Sequence, residues 1–158
     1  MLWSKWLRAE PERSGNVKPK VLFLCTGNSA RSQMAEGYLR HIAGDRYEPL
    51  SAGTEPKGLN PLAVEAMQEL GIDISQQRSK DVAKLLDSDI TYLVTVCDNA
   101  REKCPIFPGP HKSLHWNLED PAAVPGNDQQ MAVFRRVRDE IVRRIQHEFL
   151  PESVTRRG

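Results

Sequence analysis

Cys25, Arg31 and Ser32 mark the ends of one stretch, Cys25-Thr26-Gly27-Asn28-Ser29-Ala30-Arg31-Ser32, whose residue types and spacing can do chemistry. The thiolate of Cys25 is the nucleophilic form of cysteine, and helix N-termini and nearby guanidinium groups stabilise thiolates. Arg31 offers a planar fork that fits two oxygens of a tetrahedral oxyanion. Ser29 and Ser32 can donate hydroxyl hydrogen bonds to the thiolate or to the loop. Gly27 is expected to let the backbone turn tightly, so that successive N–H groups from Thr26 to Arg31 face one anion.

The flanking residues supply the elements that position this chemistry. Val21-Leu22-Phe23-Leu24 is a short apolar run that reads as a buried strand. Met34, Ala35, Tyr38, Leu39 and Ile42 recur at helical spacing and predict one buried helix face. The stretch is therefore a loop leaving a strand and entering a helix N-terminus, where unpaired N–H groups and the positive dipole end favour anions. The alternative is a structural cysteine ahead of an ordinary helix start, with Arg31 in solvent. Cys-x5-Arg-Ser in a strand-to-helix setting favours the chemical reading.

Further along, Tyr47 to Ala52 reads as a second strand. Asn60-Pro61 is a helix start with an Asn cap; Ala63, Ala66, Met67 and Leu70 supply its apolar face, and Gly71 ends it. Asp81 to Leu86 is expected as a short helix with Val82, Leu85 and Leu86 inward. Ile90 to Val96 is β-branched and apolar throughout, the pattern of a central strand covered on both faces. Asp98 to Lys103 is expected to form a helical turn and Lys112 to Trp116 a fourth strand. Met131, Phe134, Val137, Ile141, Ile145 and Phe149 mark a long amphipathic helix.

Strands alternating with helices imply a parallel sheet with right-handed crossovers and helices on both faces. The expected fold is an α/β three-layer sandwich around a four-stranded parallel sheet. Ligands in such sheets bind at the carboxyl ends of the strands. Cys25 follows the first strand, Cys97 the third and Asp120 the fourth, so all three are expected on one edge. A carboxylic acid beside a bound oxyanion can protonate its departing oxygen, a general-acid role for Asp120. Asp-Pro is also a common turn signal, and Glu119 competes for the role.

These residues carry a resemblance. Cys-x5-Arg-Ser near the start and Asp120-Pro121 near the end resemble the low-molecular-weight protein tyrosine phosphatase family. The segment Cys97-Asp98-Asn99-Ala100-Arg101-Glu102-Lys103-Cys104-Pro105 resembles the redox segment of thioredoxin-coupled arsenate reductases built on that fold. The resemblance covers roughly Lys18 to Glu148. It implies Cys25 as nucleophile, Arg31 as oxyanion clamp with Ser32 beside the thiol, Asp120 as general acid, and Cys97 and Cys104 as a disulfide relay. Arsenate would be the substrate, phosphate and sulfate competing oxyanions, and thioredoxin, or alternatively glutaredoxin, the reductant. No metal or organic cofactor is implied. Phosphatases of the family carry tyrosines after Asp-Pro; Ala122-Ala123-Val124 stand here and argue against a phosphotyrosine substrate.

Some relatives bind potassium beside the loop through side chains matching Asn28, Glu36 and Ser51 plus an aspartate. Lys80 stands at the expected aspartate position, so its ammonium can supply that charge by pairing with Glu36. The relay also has a geometric consequence. Cys97 and Cys104 are seven residues apart, about 10.5 Å along a helix, whereas a disulfide needs Cα atoms within about 7 Å. Three other readings remain open: a phosphatase, which needs neither Cys97 nor Cys104; an oxyanion-binding or redox-sensing module, which needs no Asp120; and a zinc site from Cys97, Cys104 and His111 or His115. The Cys-x6-Cys spacing departs from the shorter spacing zinc favours.

The bulk properties fit a single domain with one substantial core. The chain has 158 residues and a net charge of +1, which gives no case for nucleic acid or an anionic membrane. Three cysteines are an odd set, too few for a secreted disulfide framework; a reducing cytoplasm fits them, and a monomer is expected. Residues 1–18 read as a flexible extension carrying Trp3 and Trp6, residues 19–150 as a single catalytic domain and residues 151–158 as a tail.

Overall fold

A computed structural model describes residues 17–150 of the chain; the expectations for the extension with Trp3 and Trp6 and for the tail lie outside the described residues. Four strands, β1 (Lys20–Cys25), β2 (Glu48–Gly53), β3 (Tyr92–Thr95) and β4 (Lys112–His115), form one sheet. All neighbours are parallel and the order is β2-β1-β3-β4. The helices are α1 (Arg31–Ala43), α2 (Pro61–Gln68), α3 (Asp98–Lys103) and α4 (Asn127–Phe149), with 3-10 turns at Val82–Leu85 and Pro121–Ala123.

The two most apolar runs take the centre of the sheet, since only there are both faces dry. Val21, Leu22, Phe23 and Leu24 are all fully buried. In-register partners in a parallel sheet share a face, which assigns the layers. Phe23 stacks near Trp116 and meets Phe149 of α4 edge-on, and its register partner Ser51 donates to Glu36 of α1. So α1 and α4 cover one face. Thr95 and His115, in register on the opposite face, lead through His115 to Asp98 of α3. The three-layer α/β sandwich follows.

β1 has β2 on one side and β3 on the other, so the strand order reverses beside the carboxyl end of β1. That reversal opens a crevice where parallel sheets take ligands, and Cys25 is the last residue of β1.

Local signals explain the helix ends. Asn60 Oδ1 accepts the Leu62 N–H at 2.8 Å, with Pro61 at the first position of α2. Gly71 has φ +77°, and Ile72 N–H reaches back to Met67 O at 3.1 Å, closing the left-handed stop of that helix.

Two expected core residues are outside. Ile42 is 38 % exposed because Ala43, one turn beyond Leu39, takes the inward position at the end of α1. Leu70 is 42 % exposed because α2 ends at Gln68 and Leu70 falls in the turn. The helix layer is clamped by Glu69, which accepts from Arg135 and from Arg138 of α4. Those hydrogen bonds, Arg135 first, pull its carboxyl down to about 2.

Candidate active site

Cys25 ends β1 almost fully buried, with its Sγ 2.8 Å from Ser32 Oγ and accepting the Asn28 N–H at 3.2 Å. A hydroxyl and a backbone N–H thus both stand against the sulfur. Ala30 occupies the cap position of α1 and no side chain caps the helix. The first-turn N–H groups at the loop's end are therefore available to a bound anion.

The tight turn is made differently from the expectation. Gly27 does not adopt a left-handed backbone, and a Cβ there would sit at an ordinary 3.4 Å from Lys57 Cδ. Asn28 takes the left-handed turn, with φ +48°. Asparagine tolerates that region because its amide can bond locally. Its Nδ2 donates to Ser32 Oγ at 2.8 Å and Ser51 Oγ at 2.9 Å, while Oδ1 accepts the Lys80 N–H at 2.7 Å. The glycine that the loop needs is Gly53, at the end of β2. A Cβ on it would lie 2.5 Å from Thr26 O and 2.9 Å from Asn28 N.

Arg31 is held across the cleft. One guanidinium nitrogen donates to Leu118 O at 2.9 Å and the other lies 3.9 Å from Asp120 Oδ1. Asp120 is about half exposed, and the same Oδ1 accepts the Ala122 N–H at 3.0 Å, so it both caps a 3-10 turn and faces the site. Its competitor Glu119 is turned away to Arg136 on α4, at 2.7 Å. The cleft between these groups has a volume of about 380 Å³ and is lined by Cys25, Thr26, Gly27, Ser29, Ala30, Arg31, Lys57, Cys97, Asn99, Asp120 and Ala122. Lys57 and Asn99 had no signal in the sequence. Lys57 sits in a loop that reads as ordinary surface, and its N–H bond to Gly27 O at 2.8 Å, between those of Glu55 to Thr26 O and Asn60 to Ser29 O, brings it to the cleft.

Cys97 enters the same cleft from the end of β3 as the cap residue of α3. Its Sγ accepts the Ala100 N–H at 3.4 Å and lies 3.4 Å from Thr26 Oγ1, to which Asn99 Nδ2 donates at 2.8 Å. Cys104 follows at the far end of the helix, half-buried, with its Sγ donating to Pro105 O at 3.3 Å; burial pushes its thiol above the ordinary value. All three cysteines are free thiols. Among the described residues no cluster of three or more His, Cys, Asp or Glu is placed to hold a metal ion. His115, one of the residues weighed for zinc, is engaged by Thr95 and Asp98 instead.

Behind the loop, Glu36 is 5 % exposed and accepts from Ser51 and Arg40, with Lys80 Nζ 3.7 Å from Oε1. Asn28, Glu36, Ser51 and Lys80 therefore do stand together, beneath the Cys25–Ser32 loop. Lys80 Nζ also donates to Arg78 O at 2.6 Å.

Residues 20–157 match the family described as low molecular weight phosphotyrosine protein phosphatase. An arsenate reductase of Halalkalibacterium halodurans is 49 % identical over 129 residues, which cover 81 % of this chain and 93 % of that protein. A solved arsenate reductase in its oxidised state superposes with a TM-score of 0.70 at 32 % identity, covering 81 % of this chain and 94 % of that one. The thioredoxin-dependent arsenate reductase of Corynebacterium glutamicum gives a TM-score of 0.58 at 32 % identity, covering 90 % of this chain and 71 % of that one. The chain thus belongs to the low molecular weight phosphotyrosine protein phosphatase family and, within it, groups with arsenate reductases.

Proposed function

We propose that the protein reduces arsenate to arsenite through Cys25, Cys97 and Cys104, with thioredoxin closing the cycle. The observation that carries the reading is the entry of two free thiols, Cys25 and Cys97, into one cleft that also holds Arg31 and Asp120. A phosphatase has no use for the second thiol.

Arsenate sits on the loop amides with two oxygens on the Arg31 fork. The Cys25 thiolate attacks arsenic, an arsenic–oxygen bond breaks, and Asp120 protonates the departing oxygen so that it leaves as water. The Cys97 thiolate then attacks Cys25 Sγ. The sulfur–arsenic electron pair leaves with arsenic, which goes from the +5 to the +3 state, and a Cys25–Cys97 disulfide remains. Cys104 attacks Cys97 Sγ, releasing the Cys25 thiolate and leaving a Cys97–Cys104 disulfide. A reduced dithiol of thioredoxin takes up that disulfide and supplies the two electrons.

The helical spacing of α3 gives the third step a mechanical requirement. With about 1.5 Å per residue, Cys97 and Cys104 stand roughly 10.5 Å apart while the helix is intact, too far for a disulfide. The segment Asp98–Lys103 must unwind, which carries the bond toward solvent and the reductant.

The deciding experiment is arsenate-dependent NADPH oxidation with purified thioredoxin and thioredoxin reductase, run beside glutaredoxin with glutathione. Turnover with thioredoxin alone is the expected result. Turnover only with glutaredoxin reassigns the reductant, and none with either returns the site to phosphate-ester chemistry.

A further inference from the structure

We infer that His115 is a positioning residue for the Cys97–Cys104 couple: it ties the first turn of α3 to the sheet and so makes that pair harder to oxidise. The inference rests on the relay reading above and adds to it a residue outside the cleft.

Thr95 on β3 and His115 on β4 are in register. Thr95 is 5 % exposed, and its Oγ1 lies 2.7 Å from His115 Nδ1. On the other side of the ring, Nε2 lies 2.9 Å from Asp98 Oδ1. A carboxylate can only accept, so Nε2 carries a proton and donates it in this bond. Asp98 is the first residue of α3, directly after Cys97, and also faces Arg101 at 3.6 Å. A buried threonine, an imidazole and a carboxylate thus make one chain from the sheet to the helix that separates the two thiols.

An exposed acid–base pair by itself contributes little, and Asp98 is 56 % exposed. His115 is different: only 19 % of its side chain is exposed, and the threonine already fixes its ring. Little rotational freedom is then lost in making the Asp98 bond. The bond belongs to the helical dithiol form, because forming a Cys97–Cys104 disulfide requires α3 to unwind. A contact made in only one of two states shifts their balance by its own differential free energy. His115 therefore favours the dithiol and leaves the disulfide easier to reduce.

The test isolates the pair in a Cys25→Ser background. Protein is equilibrated with mixtures of reduced and oxidised dithiothreitol, so that two thiols lose two electrons and two protons to the reagent as one disulfide forms. Acid quenching, alkylation and mass measurement then give the dithiol-to-disulfide ratio. His115→Ala is expected to move that ratio about three- to tenfold toward disulfide, a potential roughly 15–30 mV more negative. His115→Gln, whose amide can still donate to Asp98, brings it back toward wild type. In an Asp98→Ala background, which removes the acceptor, His115→Ala has little further effect, as coupled residues require. A purely structural loss destabilises the dithiol and disulfide forms alike and leaves the ratio in place. A shift below about 1.5-fold, or an undiminished His115→Ala effect once Asp98 is Ala, overturns the assignment. Failure to form any Cys97–Cys104 disulfide removes the relay and this inference together. A disulfide indifferent to His115 removes the inference alone.

Discussion

Replacing Asn28 by alanine tests the Cys25–Ser32 loop more directly than any change to the residues that line the cleft. Asn28 is fully buried, and its side chain makes three hydrogen bonds, to Ser32 Oγ, Ser51 Oγ and the Lys80 N–H. It also holds φ at +48°. Each neutral bond contributes about 1 kcal/mol net, and a buried partner left unpaired costs about 1–3 kcal/mol. A left-handed alanine adds about 1 kcal/mol. Asn28→Ala should therefore lose about 4 kcal/mol, a large part of the roughly 5–15 kcal/mol that holds a domain together. Asn28→Gly loses the same bonds without the left-handed strain but gains backbone freedom when unfolded. It should fall within about 1 kcal/mol of the alanine variant. Urea unfolding, read as a midpoint shift at constant slope, measures both. Ser32 loses its fixed donor as well, so alkylation of Cys25 by iodoacetamide near neutral pH should slow in both variants. A loss under about 1 kcal/mol with unchanged Cys25 alkylation would refute the view that Asn28 holds the loop and the thiolate together.

Other expectations follow from the same geometry. Asp120→Asn should keep arsenate binding but slow the first chemical step by roughly 10²–10⁴-fold, while Glu119→Gln, already turned to Arg136, leaves pre-steady-state rates unchanged; the reverse pattern discards the assignment. If Lys80 stands in for a cation beside Glu36, steady-state activity is insensitive to exchanging potassium for sodium at fixed ionic strength, and a large potassium stimulation counts against it. Cys104→Ser should stop after one turnover as a Cys25–Cys97 disulfide visible in peptide mass maps, and sustained thioredoxin-dependent turnover sinks the relay. Because burial raises the Cys104 thiol, the exchange step it drives should quicken as pH rises, which quenched-flow trapping can follow. Glu69 has its carboxyl depressed to about 2 by Arg135 and Arg138; the stability it contributes is complete above its ordinary value of 4.5 and lost as pH falls from there toward 2. Glu69→Gln should flatten that acid limb in thermal unfolding, and an unaltered limb shows that the clamp does not act in solution.

Much of the architecture was legible because it is written in short-range patterns. A short apolar run suits a strand buried on both faces, and Val21–Leu24 and Tyr92–Thr95 occupy the two central positions. Asn60-Pro61 and Gly71 punctuate a helix by the chemistry of their own backbones. Once strands and helices alternate, handedness places the ends of β1, β3 and β4 on one edge, so Cys25, Cys97 and the Asp120 loop could be brought together on paper. Ile42 and Leu70 escaped the same reasoning, since periodicity marks a face but not where the helix stops.

What the chain's order alone determined, then, was the set of elements and the edge on which the reactive residues meet, because strand twist and crossover hand leave few alternatives. What only the tertiary structure decided were contacts between residues far apart in sequence. Whether Gly27 or Asn28 takes the left-handed turn depends on Ser51 and Lys80 arriving to bond the asparagine. Gly53 must lack a side chain only because Thr26 and Asn28 pass over it. Glu119 and Asp120 are chemically equivalent neighbours until Arg136 draws one away and the cleft receives the other. His115 offers itself in the sequence only as a ligand of a zinc site, until sheet register sets it between Thr95 and Asp98. In each case the residue type permits several roles, and the partner that selects one is brought in by the packing of the sheet and its helices.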